Sequence, residues 1–119
     1  MRIEKVKLPT GSLASRKAAV AYRKKIEAYL NDPDCDQIYI DLAGVNVISG
    51  SYADECIGVL VRDFGFDTVI KKIRLVNGNG FTERSIATAI LERKNNKMQV
   101  VSSSMSVSVS FSSNSKAFA

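Results

Sequence analysis

The sequence predicts one small α/β domain built on a mostly parallel or mixed sheet of about four to five strands with about three helices. Three observations carry that expectation. Strand-like and helix-like apolar patterns alternate along the chain. The segments joining them have the length of βαβ crossovers, which are right-handed. The 119 residues leave room for one core and not for two.

Taken in order, the first element is a strand over Arg2–Leu8. Val6 and Leu8 alternate with charged neighbours, as on a half-exposed edge strand, and Pro9-Thr10-Gly11 ends it. From Ser15 the spacing turns helical. Ala19, Tyr22, Ile26, Tyr29 and Leu30 recur at offsets of three and four until Asn31-Asp32-Pro33-Asp34, while Arg16, Lys17, Arg23, Lys24 and Lys25 fill much of the remaining surface. Gln37–Ala43 (QIYIDLA) is nearly continuous in apolar character, which suits a central strand covered on both faces, with Asp41 its one charge.

Val45 and Val47-Ile48 lead to Ser49-Gly50-Ser51, where a second helix can start. Ser51 as N-cap and Asp54 three residues on make a capping-box pattern. That helix is apolar on most sides (Ala53, Cys56, Ile57, Val59, Leu60, Val61, Phe64), and Gly58 admits another backbone. Gly65 stands at its C′ position.

Ile73–Val76 is the next strand and Asn77-Gly78-Asn79-Gly80 a loop. Thr82 caps a last helix with Ile86, Ala87, Ile90 and Leu91 on one face, and Asn95-Asn96 end it. Gln99-Val100-Val101 is a candidate fourth strand. Beyond it Met105, Val107, Val109 and Phe111 alternate with serine, the pattern of a strand with one buried face. The expected organisation is an α/β domain over residues 1–101 and a serine-rich strand or tail over 102–119.

Composition narrows function. No apolar run approaches the ~20 residues of a membrane span, and the N-terminus lacks an apolar signal-peptide core, so a cytoplasmic protein without membrane attachment is expected. Two cysteines, Cys35 and Cys56, are too few for a disulfide framework and too far apart for a CxxC site, and read as a loop thiol and a small core residue. There is no histidine, which removes the commonest general base and every Ser-His or Cys-His pair. A non-catalytic protein with no metal and no cofactor is expected.

The segment Ile38–Val61 (IYIDLAGVNVISGSYADECIGVLV) resembles the centre of STAS domains, where a strand ending in Asp-Leu leads into a serine-capped helix. Closer still is a STAS-like domain family of unknown function, matched here by Ser51-Tyr52-Ala53-Asp54-Glu55 and Leu75-Val76-Asn77. The resemblance runs from about Val6 to Lys94 and leaves the tail uncovered. In bacterial anti-sigma-factor antagonists, which are STAS domains, a partner kinase phosphorylates a serine at this helix start and so switches binding. Ser51 is the matching position. The local sequence is Ser49-Gly50-Ser51-Tyr52, where STAS phosphosites read Asp-Ser-Ser-Gly. The resemblance therefore implies a regulatory protein-binding module whose partner is an ATP-binding, kinase-like protein.

The remaining candidates are weighed on their own chemistry. Asp54 and Glu55, as helix neighbours about 100° apart, are not expected to converge on one substrate atom, and act as cap and dipole partners. Arg16 and Arg84 each stand at a helix start, where a cation opposes the dipole, so one of them is expected to pair with Asp54 or Glu55. Asn77 closes the matched strand end. The glycines of Asn77–Gly80 fit a tight turn better than a phosphate loop, since neither GxGxxG nor GxxxxGK[ST] is present. A net charge of +5 keeps a basic nucleic-acid-associated accessory protein as the alternative function. The first helix would then supply its phosphate contacts. Either a monomer or a homodimer joined through an edge strand is compatible with the pattern.

Overall fold

The computed structural model describes the backbone of residues 1–102 and side chains as far as Asn95. The chain runs β1 (Ile3–Lys7), β2 (Gly11–Leu13), α1 (Arg16–Leu30), β3 (Gln37–Asp41) and β4 (Val45–Ile48). It continues through α2 (Gly50–Ala53), a π-helical turn (Asp54–Gly58), α3 (Val59–Phe64), α4 (Phe66–Lys72), β5 (Ile73–Val76) and α5 (Phe81–Ser102). A three-stranded sheet has the order β1-β3-β5 and a second pairs β2 with β4, all parallel.

Apart from β5, the two sheets are built from two extended runs of chain, β1-β2 and β3-β4, each bent once. Pro9, with no N–H to give, sits at the first bend, and Leu42-Ala43-Gly44 forms the second. Leu8 N–H to the Asp41 carbonyl (3.2 Å) and Gly11 N–H to the Gly44 carbonyl (2.9 Å) carry the pairing across both bends. Gly44 is required there on two grounds: its φ is +78°, and a Cβ would stand 2.7 Å from Thr10 Cγ2.

Progression of strand order in one direction with right-handed crossovers puts both connecting layers on one face of the sheet. Val6, Ile38, Ile40 and Ile73 accordingly join Ile26 and Leu30 of α1 and Val69 of α4 in one buried cluster. β1 is an edge strand and β3 the central one, as the sequence predicts. The expectation that β3 is covered on both faces is corrected: its helix side is sealed, while the Lys5, Tyr39 and Arg74 side is left partly open by the described residues.

Five further expectations give way. Gly11 does not end the first strand but begins β2, since the bend keeps the chain extended. α4, absent from the sequence reading, follows Gly65, whose φ of +92° stops α3 and restarts the helix in a new direction. The last helix does not stop at Asn95-Asn96 but runs on to Ser102, so Gln99-Val100-Val101 is helical and no fourth strand. Thr82 is no cap. It lies fully buried inside the first turn, and Asn79 Oδ1 accepts from Phe81 N–H and Thr82 N–H at 3.0 Å each. The buried face of α5 is Thr82, Ile86 and Ala89, with Ala87 and Leu91 exposed. The alternating Met105–Phe111 segment lies outside the described residues.

Candidate functional site: an arginine-carboxylate hub beside the start of α2

The expected cap is displaced by two residues. Ser49, not Ser51, caps α2: its Oγ accepts from Tyr52 N–H (3.1 Å) and donates to the Ala14 carbonyl (2.9 Å), tying the helix start to the end of β2. Ser51 is left in the first turn with an exposed side chain. The serine directly after an apolar strand residue, Ile48, carried the signal; Asp54 three residues after Ser51 pointed elsewhere.

Asp54 is therefore not half of a capping box. It opens a π-helical turn, in which Val59 N–H donates to the Asp54 carbonyl five residues back. Such turns re-aim side chains within a helix and recur at functional sites. The turn directs two carboxylates into the space between α1 and α5. Arg93 of α5 grips Asp54 as a fork, Nε to Oδ1 at 2.7 Å and Nη2 to Oδ2 at 2.8 Å. Arg16, at the start of α1, reaches Asp54 Oδ2 at 2.9 Å and Glu55 Oε1 at 3.3 Å through the same Nη1. Arg23 Nε closes on Glu55 Oε2 at 2.8 Å and its Nη1 on Glu27 Oε2 at 3.5 Å.

Arg16 thus pairs with both acids, as expected of a cation placed against a helix dipole. The adjacent carboxylates do converge on one atom, Arg16 Nη1, because the wider turn and long side chains override the separation of an ideal helix. The bond from Arg93, with a smaller contribution from Arg16, holds the Asp54 carboxyl below its ordinary value of 3.8 against the opposing effect of burial. Gly58 makes room for this: a Cβ there would fall on Asp54 Oδ1 and lie 3.3 Å from Arg93 Cγ. A side chain, not a backbone, is what approaches.

Beneath the hub lie buried, uncharged side chains. Tyr52 and Cys56 are buried; the Tyr52 hydroxyl has no hydrogen-bond partner among the described residues, and burial raises its pKa. Burial, with Glu55 nearby, pushes the Cys56 thiol up to about 12. On the outer side is a recess of about 420 Å³ lined by Arg16, Gly50, Ser51, Asp54, Glu92 and Arg93.

The other two candidates stand apart. Asn77, at a φ of +62°, ends β5 and donates from Nδ2 to Asp41 Oδ1 at 2.9 Å; with Ala43 N–H on the same oxygen, it holds the Asp41 carboxyl below the usual range. Arg84 is exposed and makes no side-chain hydrogen bond or salt bridge among the described residues. In the loop Asn77–Gly80 and the helix start after it, several donors are engaged: Asn79 N–H goes to Thr82 Oγ1 (3.4 Å), Gly80 N–H to Glu83 Oε1 (2.8 Å), and the Phe81 and Thr82 N–H groups to Asn79 Oδ1. It offers an anion little, in keeping with the turn reading.

Arg93 was missed, although Thr82, Ile86, Ala89 and Arg93 follow one another at helical spacing and so share a face. Of the basic residues on α1, Arg16 and Arg23 are engaged with carboxylates, while Lys17, Lys24 and Lys25 are exposed. Among the described residues no His, Cys, Asp and Glu group is disposed to hold a metal ion, and no helix is long and apolar enough to cross a membrane.

A family model described as a STAS-like domain of unknown function (DUF4325) matches residues 19–80. The match takes in most of α1, the hub's carboxylates and β5, and stops just before α5. Neither the curated proteins nor the solved structures yield a match.

Proposed function

The chain belongs to the STAS-like domain family of unknown function, and on that premise we propose that it is a non-catalytic regulatory module that binds another protein around the start of α2, with Ser51 as its switch. One observation carries the reading. Ser51 is an exposed hydroxyl, freed from capping by Ser49, in a recess whose two arginines hold the π-turn carboxylate in place.

A phosphate on Ser51 would bring a charge of about −1.5 to −2 into that recess. Its nearest cations would be Arg16 and Arg93, already committed to Asp54. Phosphate and carboxylate would compete for the same donors, and the forked Arg93 bond that fastens α5 to the π turn would be the contact at stake. The surface seen by a partner would change in charge and in the seating of α5 together. The similarity to anti-sigma-factor antagonists makes an ATP-binding, kinase-like protein the partner of choice.

The test is quantitative affinity capture with immobilised wild type, Ser51→Ala and Ser51→Asp. The proposal expects at least one protein recovered by wild type and Ser51→Ala and depleted with Ser51→Asp, or the reverse. Equal recovery of the same proteins by all three ends the switch reading.

A further inference from the structure

The side of the three-stranded sheet facing away from α1 and α4 has its own chemistry. Parallel register aligns Ile3 with Gln37, Lys5 with Tyr39 and Arg74, and Lys7 with Asp41 and Val76. Strand alternation turns these rows away from the face that carries Val6, Ile38, Ile40 and Ile73. Lys5, Lys7 and Arg74 are exposed, Ile3 is 44% exposed, and Tyr39 is partly open between Lys5 and Arg74.

Charge on this face is not balanced. Among the described strand residues its one carboxylate is Asp41, with Oδ1 filled by Asn77 and Ala43 and Oδ2 3.8 Å from Lys5 Nζ. Lys7 Nζ donates to the Leu8 carbonyl (2.7 Å) and the Ala43 carbonyl (2.6 Å), and Arg74 Nη1 to the Ile70 carbonyl of α4 (2.9 Å), which sets the guanidinium at the edge of this face, where it lines a recess with Asp67 and Lys71. Neutral carbonyls fix where these cations sit without cancelling their charge. An ammonium has three donors and a guanidinium five, so each keeps N–H groups free.

We propose that this face of the β1-β3-β5 sheet, uncovered among the described residues, binds single-stranded nucleic acid, with Tyr39 stacking on a base and Lys5, Lys7 and Arg74 contacting the backbone phosphates. A ring at the centre of a row of cations on an open sheet is the arrangement that stacking and phosphate contact both use. An acidic peptide would engage the cations and leave the ring idle. The surface is separate from the Ser51 recess, so the two proposals stand or fall independently.

The experiment is fluorescence anisotropy with labelled thymidine and uridine oligonucleotides of about 15 residues, titrated at about 50 to 200 mM salt. Three phosphate contacts at about 0.7 each predict a log–log salt slope near −2. Tyr39→Ser weakens binding about tenfold, Tyr39→Phe retains it, and Lys5→Ala makes the slope shallower by about 0.7. Lys24→Ala with Lys25→Ala on α1 leaves binding unchanged. Thermal melts accompany every variant, and Lys5→Glu, on an exposed side chain, gives the same answer should Tyr39→Ser fail to fold. No binding at about 50 mM salt overturns the proposal. So does loss that follows the α1 variant, or an oligoglutamate peptide that binds as tightly as the oligonucleotides and ignores Tyr39→Ser.

Discussion

At the scale of single residues, Asp54 bears the most consequence, because three bonds from two arginines end on its two oxygens. Removing it leaves Arg93 and Arg16 without their main partner in a partly buried setting. Asp54→Ala is expected to lower stability by about 1–2 kcal/mol by urea denaturation, less than a fully buried pair would cost because both arginines remain partly wet. The same pair sets a pH dependence whose sign follows from the direction of the shift. The folded-state pKa lies below the ordinary 3.8, so the pair's contribution is complete above that value and fades as pH falls through the folded one. The stability gap between wild type and Asp54→Asn should therefore narrow on going from neutral pH to below about 4, as denaturation at each pH would read out. A gap that is constant or widens would place the carboxylate outside the network.

At the scale of elements, the two serines before and within α2 separate cleanly. Ser49→Ala removes both the cap and the bond to Ala14 and should cost about 1 kcal/mol, whereas Ser51→Ala should be nearly neutral in the same denaturation series. Gly58→Ala is the sharper case. Helix propensity alone favours alanine by up to about 1 kcal/mol, yet the new methyl would land on the Asp54 carboxylate, so the substitution should destabilise. These positions also show where the sequence stopped being legible. The strand cores and Gly65 announced themselves through local pattern, whereas the caps read at Ser51 and Thr82 fell on the wrong residues. The choice between Ser49 and Ser51 depended on how β2 returns beside β4, and β2 itself is three residues long with no periodicity to read. The π turn has no signature of its own, since its five residues fit a helical pattern. Arg93 could be placed on the buried side of α5 by spacing, but its partner, 39 positions earlier, is set by tertiary packing alone.

At the scale of the whole molecule, the order β1-β3-β5 has two effects. It gathers α1 and α4 on one side, and it leaves a basic, tyrosine-centred face on the other. α5 stands apart from that sheet, packed against β4, α2, the π turn and α3 through a face that includes Ile86 and Ala89, and fastened to the π turn by the Arg93 fork. A device that competes for Arg93 and Arg16 therefore acts on the attachment of one element while the sheet core stays intact, which is what a binding switch needs. The family match reaches from α1 to the loop before α5, so the carboxylate side of the hub lies inside the shared region and Arg93 outside it.

The most direct measurement is amide hydrogen exchange on protein carrying phosphoserine at position 51, compared with the unmodified chain. The account predicts faster exchange in the π turn and along α5 around Arg93, with β1, β3 and β5 unchanged. Identical exchange in the π turn and α5, with phosphate present at Ser51, would contradict it.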